Sequence, residues 1–148
     1  MPTSPVGGVT VGLSPGGRRP SACNLGPVDV SRDQRAAIAE VVTKLEREFY
    51  GRGPSAVRVS VSDSAPHTIA VLSMDTLTIA NRTLLERGDL RSIKAHHQAV
   101  NEATTADFCA EIETIVGRWP TAYLAQVDPN TAIAVRVFVF DEPANTDA

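Results

Sequence analysis

Residues 45–61 read LEREFYGRGPSAVRVSV, and within them the apolar spacing changes from that of a helix to that of a strand. Up to Phe49 the apolar residues recur at helical intervals, whereas Val57, Val59 and Val61 alternate with more polar residues. Gly51–Arg52–Gly53–Pro54 lies between the two patterns, because glycine can adopt positive φ and proline cannot continue a helix. The stretch therefore predicts a helix, a tight turn and a half-buried strand.

On the amino-terminal side, the helix is predicted to begin at Ser31. Its hydroxyl can cap the first turn while Gln34, three residues on, completes a capping box. Residues 1–30 are rich in glycine and proline and have no lasting apolar periodicity, which predicts a disordered tail. We favour a passive extension over a docking role for this tail.

On the carboxyl-terminal side, the pattern predicts five further strand and helix regions. Thr68–Leu72 pairs with the first strand as a hairpin, and a short helix follows over Ile79–Arg87. Apolar positions at helical spacing from Leu90 to Ile115 then predict one long helix. A second hairpin is predicted from residues 121–127 and 132–140.

The order α-β-β-α-α-β-β predicts an α+β two-layer fold, with a four-stranded, mostly antiparallel sheet and helices packed on one face. Residues 31–141 form one domain in this prediction, and residues 142–148 form a short flexible end. A single long helix would span about 40 Å, more than a domain of this size covers. Together with Phe138 and Phe140, which lie opposite the valine face of the last strand, this length predicts a homodimer.

Composition restricts the partners. The chain has 148 residues, of which 43% are hydrophobic, and its net charge of -3 provides no basic field for nucleic acid. No export signal or membrane-spanning run is readable, so we expect a cytoplasmic protein without direct membrane insertion.

The residue types that usually perform catalysis or bind metals form no convincing group. His96 and His97 are adjacent and would point about 100° apart on a helix, so we expect His96 to be exposed and His97 to be a hydrogen-bonded core residue. Cys109 is predicted to pack in the core. We therefore predict no catalytic residue, no metal and no cofactor.

The turn Gly51–Arg52–Gly53–Pro54 follows a helix and precedes a strand, which is the reverse of the order in a phosphate-binding loop. Helix termination explains both glycines and the proline but leaves Arg52 unexplained. We therefore predict that Arg52, with Gly51, Gly53 and Pro54 around it, contacts a partner or ligand.

Five segments resemble the MpsC-like family of small bacterial proteins, which is named for a component of a Na⁺-translocating, membrane-potential-generating system linked to bicarbonate supply. The resemblance runs from Gln34 to Asp141, and the segments that support it are Glu48–Pro54, Leu77–Thr78, Asn81–Leu84, Ile115–Arg118 and Val137–Phe140.

The resemblance implies a non-enzymatic accessory protein that works beside a membrane complex, and it implies no catalytic residue. We expect such a protein to dock on its partner through the Gly51–Pro54 turn or through the exposed face of the long helix. The alternative is a small-ligand or anion-sensing domain in which Arg52, Arg58 or His97 contacts the ligand. A third hypothesis is an enzyme that uses Cys109 or a histidine, and it is the least favoured of the three.

Overall fold

The computed structural model describes residues 10–13 and 28–141 of the chain. The elements follow the order β1, α1, β2, β3, α2, α3, α4, β4, β5. Their bounds are β1 Thr10–Leu13, α1 Arg32–Tyr50, β2 Ala56–Val61, β3 Thr68–Met74, α2 Ile79–Glu86, α3 Leu90–Ala103, α4 Thr105–Val116, β4 Ala122–Asp128 and β5 Ile133–Val139.

The predicted two-layer α+β architecture is confirmed. The strands form one antiparallel sheet in the order β1-β4-β5-β3-β2, so both predicted hairpins are present, with β3 and β5 paired between them. The helices cover one face of this sheet, where alternate residues of the three central strands are buried. Phe138 and Phe140 lie on that covered face and are completely buried.

Helix α1 begins and ends as its sequence predicts. The Ser31 hydroxyl accepts a hydrogen bond from the Gln34 amide, and the Gln34 side chain accepts one from the Ser31 amide. At the other end, Gly51 has φ +82° and its N–H donates to the Arg47 carbonyl at 3.0 Å. Local hydrogen bonds therefore determine both ends of this helix.

The prediction of one long helix from Leu90 to Ile115 is wrong, because the helix is divided into α3 and α4 at Thr104. The hydroxyls of Thr104 and Thr105 donate to the carbonyls of Val100 and Asn101, four residues earlier in each case. Such side-chain bonds compete with the backbone ladder and bend helices. The argument for a dimer from the length of a 40 Å helix therefore does not hold.

The amino-terminal tail also departs from expectation in one place. Thr10–Leu13 form strand β1, which pairs antiparallel with β4 and adds a fifth strand beside the four that were predicted. Val28 is buried in the core as well. The remainder of the predicted tail, residues 1–9 and 14–27, and the predicted flexible end at 142–148 lie outside the described residues.

Candidate interaction site

The turn that follows α1 is held against the loop between β3 and α2 by the Arg52 side chain. Its guanidinium Nη1 donates to the Leu77 carbonyl at 2.7 Å, and Nη2 donates to Asp75 Oδ2 at 3.0 Å. Such a fork-shaped, charge-assisted contact restricts the orientation of both partners. Arg52, which the sequence left unexplained, therefore joins two segments that are distant in the chain.

Asp75 receives a second arginine. The guanidinium of Arg82, one turn into α2, is hydrogen-bonded to the other oxygen of the same carboxylate. The hydrogen bond from Arg52 is the largest of the effects that lower the pKa of Asp75. This carboxylate therefore keeps its charge at pH values at which an ordinary aspartate becomes protonated. We call Arg52, Asp75 and Arg82 the arginine clamp.

The backbone around the clamp is also held in place. Asp75 has φ +57°, a left-handed conformation that aspartate tolerates better than most residues. The next residue, Thr76, donates its N–H to the Ala132 carbonyl at 2.9 Å, which attaches this loop to the turn between β4 and β5. A backbone hydrogen bond to the β4–β5 turn therefore holds the loop that carries Asp75.

An isoleucine protrudes beside the clamp. Ile79 is the first residue of α2, directly after the capping residue Thr78, and 80% of it is exposed. The side chains of Arg52 and Arg82 are 33% and 48% exposed. Arginine is enriched and lysine is depleted at the centre of protein–protein contacts, and an exposed isoleucine near two arginines fits such a surface.

Side-chain contacts attach the end of α1 and the start of α2 to α3. The Tyr50 ring stacks on the His97 ring at 4.8 Å, and its hydroxyl donates to Asn101 Oδ1 at 3.1 Å. On α2, buried Asn81 lies 3.0 Å from His96 through its Nδ2 and the histidine Nδ1. The candidate site consists of Gly51–Pro54, the clamp and Ile79. Helices α1, α2 and α3 support it through these contacts.

We predict that Gly51→Ala lowers the free energy of unfolding by about 1–2 kcal/mol, because alanine at φ +82° has the strain of the left-handed region. Space is not the cause, since a Cβ at Gly51 would meet nothing within 4 Å. Urea unfolding would measure the loss. The matched control is Gly53→Ala, where φ is not positive and the nearest neighbour is the flexible Arg47 side chain; an equal loss in both variants would contradict the explanation.

The three residues of the anion-sensing alternative do not come together. Arg52 is bound to Asp75, Arg58 is exposed on β2, and His97 is buried under Tyr50. Burial, with smaller contributions from His96 and Arg136, lowers the pKa of His97 to about 4, so it is neutral at pH 7. Its core position and the exposure of His96 are confirmed, but His97 Nε2 has no hydrogen-bond partner within residues 28–141. Anion sensing stays a prediction.

Cys109 packs in the core cluster, as its sequence context predicts. Burial raises the pKa of its thiol to about 12, which leaves almost no thiolate at neutral pH. Across the described residues, no group of three histidine, cysteine, aspartate or glutamate side chains could hold a metal ion.

An ion pair that the sequence pattern did not predict lies inside the core. Arg136 on β5 is 2% exposed, and its Nη1 lies 3.4 Å from Oε1 of Glu46 on α1. Ser73 on β3 donates its hydroxyl to the other Glu46 oxygen at 2.5 Å, and the Arg136 guanidinium lies 4.3 Å from the centre of the Phe108 ring. Arg136 alternates with Phe138 and Phe140 along the last strand, which was a usable signal, but Glu46 lies off the predicted apolar stripe of α1 and was wrongly expected on the surface.

The environment keeps this buried arginine charged. Burial acts to lower the pKa of Arg136, but Tyr123 and Glu46 raise it by more, so the net shift is upward. Burial has the opposite effect on the Tyr123 hydroxyl and raises its pKa to about 12, because the lowering effect of Arg136 is smaller. The network thus links α1 to the centre of the sheet, about one and a half turns of helix before the candidate site.

Fold and site together define a two-layer α+β domain with the arginine clamp and an exposed isoleucine on its surface. The sequence model of one family, described as "Na+-translocating membrane potential-generating system (MpsC)", matches residues 32–142. This match covers more than half of the chain, so the chain belongs to the MpsC family, as the sequence segments had indicated. No curated protein and no solved structure gives a match. In the described part of the chain, no helix is both long and apolar enough to cross a membrane.

Proposed function

We propose that this protein is a non-enzymatic accessory component of a Na⁺-translocating, membrane-potential-generating system, and that it acts as a homodimer in the cytoplasm by binding a protein of that system. Membership of the MpsC family supports the association with the system. Because no helix of the described residues could cross a membrane, the proposal assigns the membrane-spanning part to the partner.

The contact with that partner is proposed at the candidate site, and the exposed Ile79 beside the arginine clamp is the observation that supports it best. Two of the segments on which the family resemblance rests, Glu48–Pro54 and Leu77–Thr78, meet there through the Arg52 hydrogen bond to the Leu77 carbonyl. A partner surface with an apolar pocket and flanking carboxylates would complement this site.

We predict that Ile79→Asp and Arg82→Glu each abolish function in cells, because each places a negative charge where the proposed partner presents carboxylates or an apolar pocket. The measurement is the Na⁺-dependent membrane potential, followed with a voltage-sensitive dye in cells that lack the endogenous chain and express each variant. Both variants should leave the potential at the level of cells without the protein.

Ala110→Asp is the matched control, since Ala110 is exposed on α4 and receives the same new charge. This variant should restore the potential in full. Circular dichroism should show all three variants folded, because Ile79 is mainly exposed and Arg82 is half-exposed. Full restoration by a chain with both Ile79→Asp and Arg82→Glu would rule out the candidate site as the contact.

A further inference from the structure

We propose that two copies of this chain pair edge to edge through β2, antiparallel and around a twofold axis at Val59, so that their sheets become one continuous sheet. This inference gives a surface to the homodimer of the proposed function. It does not depend on the membrane system or on the candidate site.

Strand β2 is the last strand of the sheet, and no other described strand pairs with its outer edge. The Ser62 N–H donates to the Thr68 carbonyl at 3.0 Å, which shows that the backbone groups of Ser62 face β3. Backbone groups alternate in direction along an antiparallel strand. The N–H and C=O groups of Val57, Val59 and Val61 therefore point outward, away from β3.

The outer edge has few of the features that prevent unwanted pairing. Proteins protect exposed edges with proline, lysine, inward-pointing charges or very short strands. The six residues of β2, Ala56–Val61, include only one charged side chain, Arg58, which is on the exposed side. An apolar edge with unused backbone groups is a template for another strand, and a second copy supplies an identical one.

Charge and hydrogen-bond direction select one register. With Val59 on the axis, the outward-facing groups of the three valines meet their counterparts, and Arg58 lies opposite Ser60 of the second copy. With Arg58 on the axis, two arginines would face each other directly, which is destabilising. Val57, Val59 and Val61 of both copies would then lie on the same face and continue the apolar layer beneath the helices.

The space beside β2 has room for this neighbour. A groove of about 860 Å³ runs between α1 and β2, with Val57 and the small side chains of Ala36, Ala39 and Thr43 in its walls. A second depression of about 580 Å³ shares Ala36, Ala39 and Val57 and continues around the strand. Small side chains on α1 allow a second helix to approach closely.

The charges on α1 are complementary to those of a second copy. Val59 lines the second depression together with Arg35, Ala36 and Ala39, so the twofold axis would pass α1 near these residues. Arg35 and Glu40 are both exposed on this part of α1 and carry opposite charges. In an antiparallel α1 pair about this point, Arg35 of each copy would lie near Glu40 of the other.

Light scattering on the full chain tests the proposal. We expect twice the chain mass of 15.7 kDa for the natural protein and for Val59→Thr, and a single chain mass for Val59→Pro. Proline removes the outward N–H and blocks the edge, while the bonds between β2 and β3 remain. A natural protein with the mass of one chain would overturn the proposal. A monomer that binds an acidic peptide probe in the groove would also overturn it.

Disulfide trapping tests the register even if Val59→Pro does not fold. Arg58→Cys and Ser60→Cys chains, both made with Cys23→Ser, should form a disulfide dimer when mixed, because these positions would be a close, directly opposite pair. Either chain alone should give far less. Equal yields from the mixture and the separate chains, or a dimeric, folded Val59→Pro, would place the dimer contact elsewhere. A monomeric protein that still gives a normal membrane potential would contradict the dimer and leave the rest of the proposed function standing.

Discussion

Arg136→Met is expected to lower the free energy of unfolding by about 3–5 kcal/mol. The replacement leaves Glu46 buried without its cation, 2% exposed and hydrogen-bonded only to Ser73 in the described part of the chain. It also removes the contact between the guanidinium and the Phe108 ring. An unpaired buried carboxylate costs more than the ion pair itself contributes, because its hydration is not replaced.

Urea unfolding of four chains would measure this effect: the natural protein, Arg136→Met, Glu46→Gln and the double variant. The double variant should be more stable than Arg136→Met alone, since neither unpaired charge remains. Arg58→Met is the matched control on the exposed side of β2, and it should change stability by no more than about 0.5 kcal/mol. A similar small change for Arg136→Met would show that the buried pair is unimportant for stability.

The second large effect is a loss of about 3 kcal/mol in the free energy of unfolding between pH 7 and pH 4, caused by His97. Burial, with smaller contributions from His96 and Arg136, lowers the pKa of His97 from 6.5 to about 4. Between these two values the unfolded chain binds a proton that the folded chain does not. Stability from this group is therefore complete above pH 6.5 and is lost as pH falls towards 4.

Urea unfolding at half-unit intervals from pH 7 to pH 4 would measure this dependence. His97→Gln should flatten the curve in that range, whatever its stability at pH 7, because glutamine does not titrate. Asp75, Asp89 and Asp141 have lowered pKa values, so their contributions are lost at more acidic pH and do not produce this slope. Identical slopes for the two chains would contradict the assignment to His97.

The sequence predicted the parts of the fold that local chemistry decides. The capping box at Ser31, the left-handed glycine at the end of α1 and the Thr78 cap of α2 are all present. Each depends on residues within four positions of one another, so the pattern contains all the information that they need. The same is true of the two hairpins, whose strands are adjacent in the chain.

The break at Thr104 shows where periodicity misleads. The apolar spacing continues through it, with Val100 before and Phe108 after, but two successive threonine hydroxyls bond back to carbonyls. Periodicity describes which side of a helix is apolar and contains no information about such competing bonds. The pairing of β1 with β4 was missed for a similar reason, because a four-residue strand contributes too little pattern.

The sequence pattern predicted one part of the candidate site, the turn with Arg52, and not the residues around it. Arg52 was selected because helix termination did not explain it, but its partners Asp75 and Leu77 are more than twenty positions away, and Ile79 drew no attention within an ordinary helical pattern. The partner contact at Gly51–Pro54 remains a prediction, now with a defined surface to test.

Local residue patterns predicted most of the elements, both ends of α1, the two-layer class and membership of the MpsC family, since these depend on neighbouring residues or on the order of elements along the chain. Only the tertiary structure decided that Arg136 and Glu46 meet inside the core, that Arg52 closes on Asp75, and that β2 is left at an edge. These contacts join residues far apart in the chain. The two charge pairs arise because a charge that is removed from water needs an opposite charge beside it, and the packing of the sheet and helices determines which group that is.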